Sequence, residues 1–261
     1  MEFTFYKYQG TGNDFVVIDG ETLPQEFTKA EIKKICDRRF GIGADGLMLY
    51  KKHPTLDFEM IYYNADGNLS TMCGNGGRCL TQFAHQFKMP SKYSFNFIAI
   101  DGMHQSIVEQ NFVIKLKMID VPKVEKQLHY SVLNTGSPHV VKFVNNITNY
   151  NVKQEGAALR YSTAFVKEGI NVNFVEQLEN DGKIMVRTYE RGVEDETLSC
   201  GTGVTAAALV CAHNDNGFNH VAVQTLGGKL AIEFEKHNGH GFSNIWLCGP
   251  AKFVFMGNIK L

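Results

Sequence analysis

The sequence predicts an α+β protein made of two similar, β-rich, barrel-like domains, each wrapped around one central helix. The main observation behind this prediction is a short phrase that occurs twice, half a chain apart, in a chain of 261 residues. It reads CGNGGR at residues 73–78 and CGTGVT at residues 200–205. Each copy follows a strand-like run and opens a stretch with helical periodicity. We therefore expect two pseudo-symmetric domains, with the active site in the cleft between them.

The duplication extends well beyond the two cysteines. TGNDFVV at residues 11–17 matches TGSPHVV at residues 135–141, and FEMIYYN at residues 58–64 matches IMVRTYE at residues 184–190. The matched landmarks keep their order and a nearly constant offset, and the period is far too long for a solenoid. The sequence contains no Ser/Gly-rich linker, so symmetry alone sets the expected domain boundary, near residue 118.

Short strand-like runs make up most of the chain, and turn pairs such as Asp66-Gly67, Asp101-Gly102 and Asp181-Gly182 bound many of them. The predicted strands are, in order, residues 2–9, 14–19, 45–51, 57–63, 93–100, 105–109, 112–118, 139–144, 171–176, 183–190, 220–225, 229–235, 244–248 and 251–256. Many short strands with few helices between them are typical of barrels and sandwiches.

Three helices are predicted between these strands. Thr28, with Glu31 three residues later, forms a capping box that opens a first helix over about residues 28–39. A second helix, over about residues 74–87, carries apolar side chains at helical spacing on one face. A third, over about residues 202–213, is apolar almost all round, and such a helix has to be enclosed by the rest of its domain.

Composition and charge exclude several classes of protein. The formal net charge is −1 and no basic run occurs, which argues against a nucleic-acid partner. No apolar run approaches the roughly 18 residues that a membrane crossing needs, and the first residues lack the pattern of a signal peptide. Six cysteines in a chain of this length do not indicate a disulfide scaffold. We expect a cytoplasmic enzyme with a small-molecule substrate, for which a homodimer is an acceptable assembly.

The two repeated cysteines are the candidate catalytic residues. Cys73 and Cys200 each stand directly before glycine at a helix start, where unpaired backbone N–H groups and the helix dipole favour negative charge. A thiol there loses its proton more readily than a free thiol. The glycines that follow leave backbone N–H groups open to a ligand carboxylate. With one thiol on each side of an α-carbon, one would remove the proton and the other would deliver one, while the N–H groups stabilise the developing enediolate.

Other interpretations of the cysteines and of the neighbouring polar residues are less consistent with the sequence. The remaining cysteines fit small buried side chains: Cys36, Cys79, Cys211 and Cys248. A zinc site is disfavoured because no C-x2-C or H-x3-H pair occurs, and no Walker or GxGxxG motif supports a phosphate site. Glu190-Arg191 occupies a repeat position that favours a substrate contact over a solvated turn. His139 fits a core histidine and a helper base equally well.

The chain resembles a known family, the diaminopimelate epimerases, over essentially its full length. The motifs that carry the resemblance are GNDF at residues 12–15, GIGADG at 41–46, NADG at 64–67, MCGNGGR at 72–78, GSPH at 136–139, YERG at 189–192 and SCGTG at 199–203. Members of the family interconvert LL- and meso-2,6-diaminopimelate on the route to lysine and peptidoglycan. The resemblance implies the same epimerisation here, with no cofactor and no metal.

The resemblance also implies residue roles and a domain arrangement. Cys73 and Cys200 would be the acid/base pair. The substrate-binding residues would be Asn13, Asn64, Gly74, Asn75, Asn171, Glu190, Arg191, Gly201 and Thr202, with Ser137 and His139 in support. A C-terminal strand at about residues 251–261 would return to the first domain, giving 1–118 with 251–261 and 119–250 as the two domains.

Two positions depart from the family pattern, and alternatives to epimerisation of diaminopimelate remain open at this stage. Members commonly carry Asn at the position of Ser137 and Gln at that of Gly46, which affects the contacts to the distal carboxylate. A two-thiol racemase of another amino acid, such as proline or histidine, is the alternative enzyme, but proline racemases typically carry His at the position of Asn75. A non-catalytic, redox-sensitive module would leave Glu190 and Arg191 without a purpose.

Overall fold

The computed structural model describes residues 1–178, 182–239 and 241–261. The chain divides into two compact units, the first formed by residues 1–116 with 249–261 and the second by residues 117–248. Asp181 of the predicted Asp181-Gly182 turn lies outside the described residues.

Strands dominate the chain, as the sequence predicts. In chain order they are β1 (Glu2–Gly10), β2 (Asn13–Asp19), β3 (Gly46–Lys51), β4 (Phe58–Asn64), β5 (Leu69–Ser70), β6 (Ser94–Ala99), β7 (Gly102–Val108), β8 (Val113–Lys117), β9 (Glu125–Lys126), β10 (Ser131–Asn134), β11 (Pro138–Phe143), β12 (Asn171–Gln177), β13 (Ile184–Glu190), β14 (Asp195–Thr197), β15 (Gly217–Thr225), β16 (Gly228–His237), β17 (Gly241–Pro250) and β18 (Lys252–Lys260). The α-helices are α1 (Lys29–Cys36), α2 (Gly74–Phe83), α3 (Val152–Arg160) and α4 (Gly201–Val210).

The first unit is one twisted sheet around α2. Its strands are hydrogen-bonded in the order β18-β1-β2-β3-β4-β6-β7-β8, with the short β5 attached to β4. The pairs β2/β3 and β4/β6 are parallel and the other pairs antiparallel. Because α2 contacts strands from β18 at one end of this order to β7 near the other, the sheet curves around the helix.

The two helices of the first unit form for local reasons that the sequence carries. At α1, Thr28 and Glu31 make the reciprocal bonds of a capping box, which confirms the predicted start. The helix ends at Cys36, three residues before the expected end. In α2 the side chains of Leu80 and Phe83 are fully buried, and the helix continues as a π-helical turn through Lys88. The predicted enclosed helix of this unit is therefore confirmed.

The second unit repeats this plan element by element. Its strands are hydrogen-bonded in the order β9-β10-β11-β12-β13-β15-β16-β17, with the short β14 attached to β13. The parallel pairs, β11/β12 and β13/β15, occupy the same two places in the order as those of the first unit. The helix α4 contacts strands from β10 to β16, and its alanines at residues 206–208 are fully buried. The internal repeat read from the sequence is thus a repeat of structure, and the predicted fold class is confirmed.

The sequence analysis overlooked one helix, α3, which lies between β11 and β12 as α1 lies between β2 and β3. Asn151 caps it by accepting a hydrogen bond from the N–H of Gln154 at 3.2 Å. Its buried residue Val152 packs in a cluster with Val172 and Phe174 of β12. Within the described ranges, no helix combines the length and the apolar character that a membrane crossing requires.

Candidate active site

Cys73 is the residue that caps the N-terminus of α2. Its backbone is extended (φ −97°, ψ 128°), and the first helical bond runs from the N–H of Gly77 to the carbonyl of Cys73 at 2.7 Å. The N–H groups of the first helical turn precede that bond and therefore have no acceptor within the helix. The half-buried thiol consequently stands beside a group of backbone donors at the positive end of the helix dipole.

Two asparagines meet at this thiol. The thiol of Cys73 donates to Oδ1 of Asn13 over 3.6 Å, and Nδ2 of Asn75 lies 3.5 Å from the same oxygen. Asn13 is the first residue of β2, and Asn75 is in the first turn of α2. Three residues that the sequence assigned to the site are therefore in direct contact within the first unit.

A buried guanidinium lies under this helix start. Arg78 is fully buried, and its Nη2 donates to Oδ1 of Asn75 at 2.9 Å while its Nη1 donates to the carbonyl of Gly74 at 3.2 Å. Burial raises the pKa of the neighbouring Cys79 to about 12, and the charge of Arg78 acts in the opposite direction. Arg78 therefore brings a fixed positive charge close to the first helix start. The sequence analysis quoted this residue as part of a motif but gave it no role.

Asn64 lies farther along the same end of the sheet. It ends β4 and pairs with Gly46 at the start of β3, in an exposed turn that the N–H of Gly67 closes onto the Asn64 carbonyl at 2.9 Å. A Cβ added at Gly46 would lie 2.5 Å from the ring of Tyr62 and 2.6 Å from the carbonyl oxygen of Tyr63. The phenol ring of Tyr62 thus fills the volume that a side chain at position 46 would need.

Cys200 occupies the equivalent place in the second unit. It caps α4 with an extended backbone (φ −111°, ψ 113°), and the first helical bond runs from the N–H of Val204 to its carbonyl at 2.9 Å. The sulfur lies 3.5 Å from Oγ1 of Thr202, and Thr135 donates to the carbonyl of Thr202 at 2.8 Å. The start of α4 is therefore tied to the loop that precedes β11. Cys200 is buried, with 8 % of its surface exposed.

The residue equivalent to Arg78 in the second unit is uncharged. Thr205, one turn into α4, is fully buried and donates to the carbonyl of Gly201 at 2.9 Å. Arg78 and Thr205 thus bind the carbonyl four residues earlier, Gly74 in one helix and Gly201 in the other. The backbone contact is the same in the two units, but only the first carries a buried cation at this position.

A buried amide network lies beneath the start of α4. Asn173 donates to the carbonyl of Val140 at 2.9 Å and lies 3.1 Å from Nδ1 of His139, and its Oδ1 accepts from Thr188 at 2.9 Å. A Cβ at Gly203 would fall 2.2 Å from Oδ1 of Asn173, so position 203 requires glycine. The role of this glycine is therefore to let the helix approach the amide closely.

His139 is fully buried within this network. Because Asn173 donates to Nδ1, the proton of the neutral imidazole lies on Nε2, a buried atom for which the described residues offer no hydrogen-bond partner. Burial, assisted by the charge of Arg191, lowers the pKa of His139 to about 3. The imidazole is therefore neutral at physiological pH.

Arg191 is held by neutral oxygens. Its Nη1 donates to the carbonyl of Glu168 at 3.0 Å, and its Nη2 lies 3.4 Å from Oγ of Ser137. Asn171 donates to the same Oγ at 2.9 Å and accepts from the backbone N–H of Arg191 at 2.9 Å. Across the part of the chain that is described, no carboxylate lies within ion-pairing distance of this guanidinium. The group is thus oriented and retains a positive charge for an anion.

Side-chain hydrogen bonds hold Glu190 and the turn that follows it. Thr197 donates to Oε2 of Glu190 at 3.0 Å, while burial raises the pKa of the Glu190 carboxyl. The carboxylate of Glu194 accepts from the N–H of Gly192 at 3.1 Å and from the hydroxyls of two tyrosines, Tyr161 at 3.0 Å and Tyr189 at 3.1 Å. Glu194 therefore fixes the turn that carries Arg191, a role that the sequence analysis did not foresee.

The predicted site residues fall into two groups, one in each unit. In the first unit, Asn13, Cys73 and Asn75 are in contact, with Gly74 between the latter two and Asn64 in the neighbouring turn. In the second unit, Cys200, Gly201 and Thr202 begin α4, while Ser137, Asn171 and Arg191 form a hydrogen-bonded group next to Glu190. Both groups combine a helix-start thiol with polar side chains that are held in place by neighbours, as an enzyme that moves a proton requires.

Comparison with known proteins identifies the family. The sequence model described as diaminopimelate epimerase matches residues 5–119 and 131–254. A diaminopimelate epimerase of Flavobacterium psychrophilum is 51 % identical over 253 residues, covering 96 % of this chain and 97 % of the relative. One of Chlorobaculum tepidum is 39 % identical over 260 residues, covering 97 % and 99 %. The chain therefore belongs to the diaminopimelate epimerase family.

Solved structures with the same fold include more distant proteins. A phenazine biosynthesis protein of the PhzF family from Bacillus anthracis superposes with a TM-score of 0.76 at 14 % identity, over 100 % of both chains. A hydroxyproline epimerase from Agrobacterium vitis, with bound trans-4-hydroxy-L-proline, gives a TM-score of 0.69 at 12 % identity over 99 % of this chain and 92 % of that one. At these identities the likeness concerns the fold alone.

Proposed function

We propose that this protein is an isomerase that epimerises LL-2,6-diaminopimelate to meso-2,6-diaminopimelate, without a cofactor, in the synthesis of lysine and of peptidoglycan precursors. The observation that carries the proposal is that each unit begins its enclosed helix with a Cys-Gly pair whose thiol stands beside backbone donors. Relatives that are named diaminopimelate epimerases and match nearly the whole chain support the choice of substrate.

The proton transfer uses two thiols on one α-carbon. Cys73 and Cys200 act from opposite faces: one, as the thiolate, removes the α-proton, and the other, as the thiol, donates a proton to the opposite face. The configuration inverts because the proton leaves and arrives on different sides. After one turnover the protonation states of the two cysteines are exchanged, so the reverse reaction needs the same residues in exchanged roles.

The reacting carboxylate is bound by the helix starts. Removal of the α-proton moves negative charge onto this carboxylate, and the intermediate resembles an enediolate. Backbone N–H groups at Gly74, Asn75, Gly201 and Thr202 are oriented for this charge, and the dipoles of α2 and α4 reinforce them. Donors that are positioned before the reaction lower the barrier because they need no reorganisation when the charge develops.

The distal end of the substrate determines specificity. The guanidinium of Arg191, steadied by Glu168 and Ser137, binds the carboxylate that does not react. The carboxylate of Glu190 is suited to an ammonium group, as are the side-chain oxygens of the asparagines assigned to the substrate: Asn13, Asn64 and Asn171. His139, neutral and buried, supports the second helix start from beneath. We place the reaction in the cytoplasm, with a homodimer as an acceptable assembly.

Solvent isotope incorporation tests the function directly. LL-diaminopimelate incubated with the enzyme in D2O should acquire deuterium at one α-carbon and form the meso isomer, as followed by mass spectrometry and chiral chromatography. The Cys79→Ala variant should behave as wild type, since that thiol is fully buried inside α2. Exchange of proline or histidine in place of diaminopimelate would overturn the assigned substrate, and absence of any exchange would overturn the two-thiol mechanism.

A further inference from the structure

One acidic residue of a quoted motif has no part in the proposed chemistry and yet contacts the site. Asp45 belongs to the GIGADG segment at residues 41–46, immediately before β3. We propose that Asp45 is a positioning residue: its carboxylate fixes the side-chain amide of Asn13 so that the amide oxygen faces the thiol of Cys73. The catalytic importance of this contact rests on the proposed function, but one of the two tests below needs no substrate.

The register of two strands brings Asp45 to Asn13. The strands β2 and β3 are parallel, and Phe15 pairs with Gly46, so Asp45, the residue before β3, lies beside Asp14 and next to Asn13 at the start of β2. The N–H of Asp45 donates to the carbonyl of Asp14 at 2.9 Å. The carboxylate is therefore placed at the start of β2 by the backbone ladder itself, before any side-chain contact is considered.

The two carboxylate oxygens of Asp45 have different partners. Oδ2 accepts from Nδ2 of Asn13 at 2.6 Å and from the N–H of Asp14 at 3.1 Å. Oδ1 accepts from Nη2 of Arg38 at 2.7 Å. Arg38 also binds both oxygens of Asp14, at 2.6 and 3.1 Å, and Lys7 binds Asp14 at 2.7 Å. The carboxylate of Asp45 is thus held by a cation on one side and points its other oxygen at Asn13.

An ionised carboxylate only accepts hydrogen bonds, and this decides the orientation of the Asn13 amide. The amino end of Asn13 has to face Asp45, so the carbonyl end has to face the other way. There, Oδ1 lies 3.6 Å from the sulfur of Cys73 and 3.5 Å from Nδ2 of Asn75. Without Asp45 the longer contact from Nδ2 of Asn75 is a weaker constraint on the amide, which can then rotate to the nearly isosteric orientation in which an N–H group faces the sulfur.

The orientation matters because the two ends of the amide favour different states of Cys73. An oxygen accepts from the S–H group and favours the thiol, whereas an amino group donates to sulfur and favours the thiolate. The charged and titratable groups packed around this contact are Asp45, Asp14, Arg38, Lys7, Arg78, Cys79 and, beside the backbone of Met72, Asp101. Of these, Asp45 is the one bonded to the amide that touches the sulfur.

The isosteric Asp45→Asn variant tests the proposal without removing volume. The charged guanidinium of Arg38, at 2.7 Å, retains the remaining oxygen of residue 45 at the expense of the 3.1 Å bond from the N–H of Asp14, so an amino group faces Asn13, and Asn13 has to rotate. Alkylation by iodoacetamide, followed for each cysteine by peptide mass spectrometry, should become about 3- to 10-fold faster at Cys73, the factor expected for one hydrogen bond. Alkylation of Cys200 in the same molecules is the internal reference and should not change. An unaltered ratio of the two rates would overturn the proposal.

A double-mutant cycle of Asp45 and Asn13, measured by kcat/KM, is the second test. Asp45→Asn should lower kcat/KM by about 10-fold, because a charge-assisted hydrogen bond is lost. If Asp45 acts through Asn13, the Asp45→Asn/Asn13→Ala double variant should be no worse than Asn13→Ala alone, whereas independent effects multiply and would contradict the inference. Asp57→Asn is the matched control, since Asp57, like Asp45, binds a cation through one oxygen, here Lys92, and a backbone N–H through the other, and this variant should retain wild-type activity. Failure of wild type to epimerise diaminopimelate would refute the proposed function, while the alkylation test would still decide the role of Asp45.

Discussion

Replacing Arg191 by methionine separates the binding of the distal carboxylate from the integrity of the fold. The backbone N–H of Arg191 binds Asn171, and methionine preserves this bond. The substitution removes only the guanidinium, which donates to the Glu168 carbonyl and approaches Ser137. These two partners are neutral oxygens, and the turn that carries residue 191 should stay in place when the contacts to them are lost. The stability of the Arg191→Met variant should therefore be close to that of wild type.

The expected effect on activity follows from the contact that we propose between Arg191 and the distal carboxylate. A hydrogen bond between charged groups contributes about 1.5–3 kcal/mol, which corresponds to about a 10- to 100-fold decrease in kcat/KM. The distal carboxylate does not change charge during the reaction, so the contact stabilises the bound substrate and the transition state alike, and most of the loss should appear in KM. The assay is the initial rate of α-proton exchange in D2O as a function of diaminopimelate concentration.

Two comparisons sharpen this test. Lysine resembles diaminopimelate but lacks the distal carboxylate, so wild type should exchange its α-proton poorly, and Arg191→Met should narrow the difference between the two substrates. Arg187→Met, in the strand β13 that precedes Arg191, is the structural control, because Arg187 binds both oxygens of Glu196 and the carbonyl of Ile147. That variant should melt at a lower temperature while its folded molecules keep the wild-type kcat/KM. An Arg191→Met enzyme with unchanged kcat/KM would show that this residue does not bind the carboxylate.

Further outcomes are expected for other parts of the site. Cys73→Ala and Cys200→Ala should each abolish epimerisation, and near-wild-type turnover by either variant would rule out a two-base mechanism. Gly203→Ala should lower the melting temperature, because its Cβ would lie 2.2 Å from Oδ1 of Asn173; an unchanged melting temperature would contradict this packing. Since the folded pKa of His139 is lowered to about 3, the unfolded chain binds a proton at higher pH than the folded protein does. Folding stability should therefore fall by about 1.4 kcal/mol per pH unit from about pH 6.5 downwards, and urea unfolding at about pH 7 and about pH 5 should show this slope in wild type and lose it in His139→Gln.

Several elements of the fold were predictable because local patterns determine them. The capping box at Thr28, the apolar periodicity of α2 and the almost uniformly apolar composition of α4 correctly predicted three helices. The helix α3 was missed because Gly156, in its middle, interrupts the helical pattern. A Cβ at that position would lie 2.4 Å from the Cβ of Tyr189, so the glycine serves the packing of α3 against β13. The reason for it lies more than thirty residues away along the chain.

The residues of the candidate site also differ in whether the sequence alone reveals them. Cys73 and Cys200 are recognisable in sequence because both stand before glycine at equivalent places in a repeat. Asp45 and Glu194 are not, because each acts on a site residue through a contact that only the register of strands or the shape of a turn creates. Tyr62 illustrates the same limit, since nothing in the sequence indicates that its ring fills the space beside Gly46. The action of both thiols on one carbon stays a prediction until exchange is measured.

The different residues beneath the two helix starts have a consequence for how such a protein can evolve. Arg78 and Thr205 bind equivalent carbonyls, but one is a cation and the other a neutral hydroxyl. In a homodimer of a single half-length chain, every substitution would appear twice, and both thiols would necessarily have the same surroundings. Fusion of the two halves in one chain lets a substitution at position 205 alter one helix start alone. Gene duplication followed by fusion thus permits two helix-start thiols to acquire different electrostatic surroundings, which a symmetric homodimer could not encode.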